Sequence, residues 1–226
     1  MPRGKQSKGT CAYCDQVFTK SGITKHLAVC AQRQEALAKA AEKKGKPIKL
    51  YHLRIQDAGQ SRFWLDLEMK GTATLDELDG YLRAIWLECC GHMSEFYFGG
   101  AYRDEVASTL KADKIFTPGV ELTHVYDFGT SSETLVRVIG ERSGQPLTSR
   151  AISLMARNEM PEEECVECKQ PALWLCQECL YEDDVWRTYC DEHIETHDHD
   201  EYEPIQLVNS PRMGMCAYSG PADPPY

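Results

Sequence analysis

Apolar and polar residues alternate along two neighbouring segments in the middle of the chain. In the first segment Tyr51, Leu53 and Ile55 alternate with polar residues, and the same period of two runs through the second, FWLDLEM. The residues between the two segments read DAGQS, which is typical of a turn. A period of two places every second side chain on one face of a strand, so the pattern predicts a β-hairpin.

A helical pattern follows the hairpin. Thr74 and Glu77 have the spacing of a capping box, which favours a helix beginning there. Apolar residues then recur at helical spacing as far as Gly91, at Leu75, Leu78, Leu82, Ile85, Trp86 and Cys89. We therefore predict a buried amphipathic helix. Cys89 lies on its apolar side, so we expect its thiol to pack in the core.

Three further segments, SEFYFGG, ELTHVYDFG and ETLVRVIGER, have the pattern of strands. The segment SRAISLMARNEM is predicted to form a short helix that leads to the C-terminal cysteines and histidines. The order β-β-α-β-β-β predicts an α+β fold with a mixed sheet and a helix across one face.

The central segments resemble the plasmid pRiA4b open-reading-frame-3-like family. The resemblance spans about residues 47–142 and is carried by YHLRIQ, FWLDLEM, TLDELDGYLRAIW, HMSEFYFGGAYR and HVYDFG. It implies a β-grasp-like ββα start to the α+β domain. Some members of the family are labelled as resolvases of a mobile element. We find no serine or tyrosine nucleophile with an attendant arginine cluster here, so we predict no enzymatic activity and no catalytic residue.

The N-terminal region has the ligand spacing of a small zinc finger, within CAYCDQVFTKSGITKHLAVC. Its predicted ligands are Cys11, Cys14, His26 and Cys30. Phe18 and Ile23 would form the small core that such a unit packs beside its metal. An Ala-rich and Lys-rich helix is predicted to continue beyond His26 until Gly45 and Pro47.

The C-terminal region contains eight more cysteines and histidines, spaced as CxxC, CxxC, CxxH and HxH. They are Cys165, Cys168, Cys176, Cys179, Cys190, His193, His197 and His199. In a cross-brace, the first CxxC would share a zinc ion with CxxH, and the second CxxC with HxH. In a sequential arrangement the four cysteines at positions 165–179 would share one ion. The seven-residue segment KQPALWL is short for that arrangement, which favours the cross-brace and makes the region similar to B-box and RING-like modules.

One ligand of this region stays open between two candidates. Only one residue separates His197 from His199, which is tighter than B-box modules usually show. Cys216, in the tail NSPRMGMCAYSGP, could take the place of His199, because a thiolate is a good zinc ligand. The sequence thus predicts about three Zn²⁺ ions, each closed by four protein ligands and therefore structural.

Charge is distributed unevenly along the chain. Residues 1–46 contain ten Lys/Arg and three Asp/Glu, a net +7, whereas residues 159–203 contain two and sixteen, a net −14. Such asymmetry predicts a basic arm for an anionic partner and an acidic module that would repel nucleic acid.

These observations predict three segments. Residues 1–46 would form a basic zinc finger and helix, 47–158 the pRiA4b-like α+β domain, and 159–226 a double-zinc module with a packed tail. There is no membrane-spanning apolar run and no signal-peptide core in MPRGKQSKG, so we expect a cytoplasmic protein without a membrane partner.

We expect a non-enzymatic zinc-binding adaptor or regulatory protein. It would bind a protein partner and contact DNA or RNA non-specifically through its basic N-terminus. Two alternatives stay open: an accessory enzyme subunit of mobile-DNA processing or ubiquitin-type ligation, and a structural component of a larger assembly.

Overall fold

The computed structural model describes residues 7–199 and 201–225. It contains two compact units, one of residues up to 83 together with 92–159, the other of residues 84–91 together with the chain from 160 onward. Arg3 and Lys5 of the predicted basic arm lie outside the described residues. The predicted division into three segments remains a prediction, and the two units are described separately below.

The first unit is built on a nine-stranded sheet with the order β2-β1-β9-β4-β3-β8-β7-β5-β6. Its strands are β1 (Lys8–Cys11), β2 (Val17–Thr19), β3 (Ile48–Asp57), β4 (Trp64–Lys70), β5 (Ser94–Phe98), β6 (Asp104–Val106), β7 (Glu121–Tyr126), β8 (Ser132–Gly144) and β9 (Ile152–Asn158). Its helices are α1 (Lys20–Val29), α2 (Ala31–Ala41), α3 (Leu75–Leu82) and the short α4 (Ala112–Ile115).

The α+β class is confirmed, and so is the hairpin, since β3 and β4 pair antiparallel with Leu53 opposite Leu67. The mixed sheet is wrong, because every pairing among the described strands is antiparallel. Antiparallel neighbours need only short connections, whereas parallel ones need a long crossover.

Strand β4 is buried on both faces, including its two acidic residues. Asp66 accepts hydrogen bonds from Arg54, and Glu68 from Arg142. Both carboxylates thus lie inside the fold with charged partners, as buried charges require.

The predicted helix after the hairpin is confirmed in its beginning but ends earlier than Gly91. Thr74 and Glu77 form the capping box of α3, and a π-helical turn, Arg83–Leu87, follows the helix. Cys89 lies beyond this turn and is only partly buried, so the prediction of a packed helical thiol is wrong.

The short helix predicted in SRAISLMARNEM is also wrong, since this segment contains β9. A register shift between Asp66 and Leu67 of β4 places one extra residue in β9. As a result Ile152, Met155 and Ala156 are all buried. Their spacing imitates one face of a helix, although the cause is an irregularity in a strand.

The predicted N-terminal helix is interrupted. Cys30 has φ −58° and ψ 118°, which ends α1 and separates it from α2. The second helix ends at Ala41, before Gly45 and Pro47. Strand β1 pairs with β9, so the sheet continues into the N-terminal region.

The second unit has little regular structure. It contains β10 (Trp174–Leu175), β11 (Thr188–Tyr189) and β12 (Ile205–Gln206) in the order β11-β10-β12, with helices α5 (Gln177–Tyr181) and α6 (Asp191–Glu195) and a 3-10 turn at Met215–Ala217. One small apolar cluster consists of Ala172, Leu175, Ile205, Leu207 and Met213. A core of this size stabilises a fold only weakly without additional cross-links.

Candidate metal centres

Four groups of cysteine and histidine side chains converge in the part of the chain that the structure describes. Within each group the four candidate ligand atoms lie within 4.8 Å of one another. The groups contain all eleven cysteines and five of the seven histidines of the chain. Cysteines scattered for packing would not collect in fours in this way, and such groups are typical of metal centres.

The N-terminal group consists of Cys11, Cys14, His26 and Cys30. Cys11 is the last residue of β1, and the turn after it passes through Asp15 with φ 56°, which returns the chain to β2. Thr19 caps α1 by accepting a hydrogen bond from the Gly22 amide, and this helix carries His26.

Packing holds this group in place within the first unit. The Phe18 ring stacks on His26 with 3.9 Å between ring centroids. Ile23 and Leu27 of α1 lie in one buried cluster with Trp64 and Met155. The predicted apolar pair therefore contributes to a larger core than an isolated finger would have.

The second group joins the first CxxC pair to the CxxH pair: Cys165, Cys168, Cys190 and His193. The Sγ atoms of Cys168 and Cys190 are 3.8 Å apart. His193 Nδ1 lies 3.6 Å from Cys165 Sγ and 3.2 Å from Cys190 Sγ.

The third group joins the second CxxC pair to the two terminal histidines: Cys176, Cys179, His197 and His199. Cys179 Sγ lies 3.3 Å from both His197 Nε2 and His199 Nδ1, and Cys176 Sγ lies 3.5 Å from His199 Nδ1. The Tyr189 ring stacks on His197 with centroids 4.4 Å apart, which orients the imidazole. The two C-terminal groups follow the cross-brace arrangement.

These separations fit a tetrahedral zinc ion. Zn–S bonds of about 2.3 Å and Zn–N bonds of about 2.0–2.1 Å give tetrahedral edges of about 3.8 Å between sulfurs and about 3.5 Å between sulfur and nitrogen. The distances in the second and third groups, between 3.2 and 3.8 Å, lie close to these edges. Thiolates and imidazoles are ligands that suit zinc.

The pKa values of the candidate ligand thiols differ between the groups. Burial raises the pKa of Cys11 to about 11, and burial together with the Cys176 thiol raises that of Cys179 to about 11. At Cys165, burial opposes ionisation, but backbone N–H donors outweigh it and lower the pKa to about 6. Since zinc binds thiolates, a metal would have to displace the protons of Cys11 and Cys179.

Cys216 lies outside the third group. Its Sγ is 3.6 Å from that of Cys90, in a fourth group with Cys89, Cys90 and His92. His199, and not Cys216, is therefore the fourth candidate ligand beside Cys176, Cys179 and His197. The sequence predicted about three Zn²⁺ ions, which correspond to the first three groups. The fourth group was not predicted.

A buried polar network lies in the central region. His124 is fully buried, and its Nε2 lies 2.7 Å from Asp79 Oδ1. Asp79 also bonds to Ser94 and Arg83, and although burial opposes it, these partners and His124 lower the pKa of the carboxyl. Among the described residues, no thiol or hydroxyl group forms a hydrogen bond with His124.

Sequence reasoning missed an exposed apolar surface on the acidic module. Leu175 is buried, and Trp174 is half-buried with its Nε1 donating a hydrogen bond to Asp191. Tyr181, Val185 and Trp186 are exposed instead, with exposed fractions of 43%, 38% and 39%. The signal was present in the string YEDDVW, where aromatic and aliphatic residues flank three acidic ones.

Comparison with known proteins adds little to this description. No protein-family model and no curated protein match the chain. A solved structure titled "Protein of Unknown Function MM3350", from Methanosarcina mazei Go1, is similar with 20% identity and a TM-score of 0.39. The similarity covers 46% of this chain and 66% of that one. Membership of the pRiA4b-like family stays a prediction.

None of the helices in the described residues is both long enough and apolar enough to cross a membrane.

Proposed function

We propose that the protein is a non-enzymatic adaptor whose zinc-stabilised acidic module binds a basic segment of a partner protein. The observation that carries the proposal is the exposure of Tyr181, Val185 and Trp186 on either side of three acidic residues, a segment we call the YVW surface. Glu182, Asp183 and Asp184 lie within it in the sequence and are exposed.

The third group, which contains Cys179, holds the YVW surface in position. Helix α5, which ends at Tyr181, contains the candidate ligand Cys179. The Val185 amide donates a hydrogen bond to the Cys179 carbonyl at 2.9 Å, so the acidic loop closes directly over that ligand. A surface fixed in this way loses less conformational entropy on binding than a mobile loop would.

The composition of the YVW surface suits protein recognition. Exposed tyrosine and tryptophan side chains contribute most to binding at many interfaces. The surrounding charge, −14 over residues 159–203, favours a partner with lysine or arginine beside an apolar residue and disfavours nucleic acid.

A structural role for the metals supports the adaptor over an enzyme. Each of the three predicted groups offers four protein ligands, which complete a tetrahedron. Catalytic zinc keeps one position open for water or substrate. When bound, zinc would supply cross-links to the fold, and recognition would be left to the side chains around it.

The test is binding of short peptides to the zinc-loaded full chain, followed by fluorescence anisotropy. We expect peptides with alternating basic and apolar residues to bind, and Trp186→Ala to weaken that binding at least tenfold. Leu173→Ala is the matched control, because Leu173 is an exposed apolar residue of the same unit, at 45%, outside the YVW surface. Equal binding by wild type and Trp186→Ala would overturn the proposal.

A second role, contact with nucleic-acid phosphates, is favoured by exposed lysines at the N-terminal region. Lys39, Lys43, Lys44 and Lys46 are exposed at and beyond the end of α2, although Lys39 also pairs with Glu35. Arg33 does not belong to this set, because it bonds to the Leu27 carbonyl and pairs with Glu68. About four phosphate contacts would make the affinity for duplex DNA fall steeply with salt. An affinity that is unchanged on adding about 0.2 M salt would contradict this role.

A further inference from the structure

The fourth group of metal-binding side chains belongs to none of the three predicted sites. Its three thiols, Cys89, Cys90 and Cys216, all lie in the second unit. The Cys90 Sγ atom is 3.6 Å from that of Cys216 and 3.8 Å from that of Cys89. A disulfide would require about 2.0 Å, whereas zinc-bound thiolates lie about 3.8 Å apart.

The fourth donor comes from the same loop as two of the thiols. His92 follows Cys90 by two residues in the sequence, which makes its imidazole a candidate fourth donor beside these thiols. Gly91, between them, has φ +83°, a left-handed conformation that side chains disfavour. A Cys-Cys-Gly-His loop and one remote cysteine thus make a Cys₃His set, a common ligand set of structural zinc.

The C-terminal tail is fixed on both sides of Cys216. The Tyr181 hydroxyl donates to the Gly214 carbonyl at 2.7 Å and accepts from the Ala217 amide at 3.1 Å. Cys216 itself has φ 52°, which turns the tail sharply at that residue. These contacts hold the Cys216 thiol at one place in the second unit.

Other contacts hold the tail against the segment that carries Cys89. The Ser210 hydroxyl donates to the Trp86 carbonyl at 2.7 Å. Arg212 is fully buried, and its guanidinium lies 3.5 Å from Cys89 Sγ. This contact and that of Ser210 hold the tail beside the thiols of the loop.

We propose that Cys89, Cys90, His92 and Cys216 bind a fourth zinc ion, which cross-links the C-terminal tail to the loop after the π-helical turn. This site differs from the others in its exposure, since Cys90 and Cys216 are exposed whereas Cys165, Cys176 and Cys179 are buried. Its zinc ion therefore exchanges first when a chelator is added.

The first experiment counts zinc ions in the full chain by native mass spectrometry, after loading with excess zinc under reducing conditions and desalting. We expect four ions in the wild type, and three in Cys90→Ser, in Cys216→Ser and in the double variant. Met93→Ala, which changes an exposed residue of the same loop that offers no ligand, should keep four. Three ions in the wild type, unchanged in both cysteine variants, would overturn the proposal.

A second measurement uses the wild-type chain and does not depend on the folding of any variant. Exposed thiols normally react quickly with iodoacetamide, so zinc at this site should protect Cys90 and Cys216 in spite of their exposure. After a mild chelator is added, peptide mass spectrometry should find these two cysteines alkylated before Cys165 and Cys179. Rapid alkylation of Cys90 and Cys216 in zinc-loaded protein would exclude the site. A mass deficit of two hydrogens that reductant reverses would show a disulfide in its place.

Discussion

Two glycines of the first unit differ in how much room surrounds them. Since neither has a left-handed backbone, replacing each with alanine tests only whether there is room for a Cβ atom. Gly9 in β1 lies against the Trp64 ring and the Arg157 carbonyl, so an added Cβ would overlap both. Gly80 in α3 has no atom within 4 Å of the position that a Cβ would take. Neither has the left-handed backbone that would disfavour alanine in itself.

We predict that Gly9→Ala destabilises the protein by about 1–3 kcal/mol, because β1 would have to move away from Trp64. Gly80→Ala should stabilise it by about 0.5–1 kcal/mol, since alanine is the better helix former. Urea denaturation with zinc in excess measures both. If Gly9→Ala is as stable as the wild type, β1 does not pack on Trp64 as described.

Pairs of candidate ligands are visible in the sequence, whereas the groups of four that they form depend on the fold. Spacings such as CxxC depend on neighbouring residues, so Cys11 and Cys14, or Cys165 and Cys168, are visible locally. The partner of Cys216 was not visible, because Cys90 is distant in the sequence and only the tertiary fold brings the two thiols together.

Among the elements, those with local signals were predicted best. The capping box at Thr74 and the alternation in β3 were sufficient to find α3 and the first hairpin. Strand β9 was missed because pairing with β4 and β1 decides its structure, and its register shift gives it a helical spacing of buried residues. A single sequence carries no record of such a partner-dependent irregularity.

The ligand arrangement of the C-terminal region can be tested by counting zinc ions in variants that lack one or two of its candidate ligands. If the cross-brace holds, Cys165→Ser and the double variant Cys165→Ser/Cys190→Ser each lose one zinc ion, because both residues serve the same ion. Cys165→Ser/Cys176→Ser should lose two. The sequential arrangement predicts a loss of one ion from that last variant.

A spectroscopic control covers the case in which losing one ion unfolds the whole region. The wild-type chain is loaded with Co²⁺, whose absorption bands report the number of thiolate ligands. The cross-brace gives a Cys₃His and a Cys₂His₂ set at the C-terminal region, whereas the sequential arrangement gives Cys₄ and CysHis₃. Bands of a Cys₄ centre would contradict the cross-brace.

The two units differ in what stabilises them. The first contains the fully buried side chains of Trp64, Tyr51, Phe96 and Tyr126 and a nine-stranded sheet. Among its described residues the second has a three-stranded sheet of two-residue strands, the buried residues Ile85, Trp86 and Leu87, and two small apolar clusters, one of which includes candidate ligands themselves. Burial of apolar area can stabilise the first unit, whereas we expect the second to depend on metal bound at its cysteine and histidine groups.

Chelation should therefore unfold the two units unequally. With a strong zinc chelator under reducing conditions, we expect amide protection to disappear in residues 160–225 and in 84–91, and to persist in β3 and β8.

The N-terminal metal group is the intermediate case, because β1 is paired with β9 and Ile23 and Leu27 lie in a cluster with Trp64. We expect the turn at Cys14 and the residues around Cys30 to lose protection while the β1 amides keep part of it. Hydrogen exchange followed by mass spectrometry resolves these segments, and re-addition of zinc tests reversibility. Simultaneous loss of protection in β3 and in residues 160–225 would show that the first unit also depends on metal, and that its apolar core is not sufficient to hold the sheet.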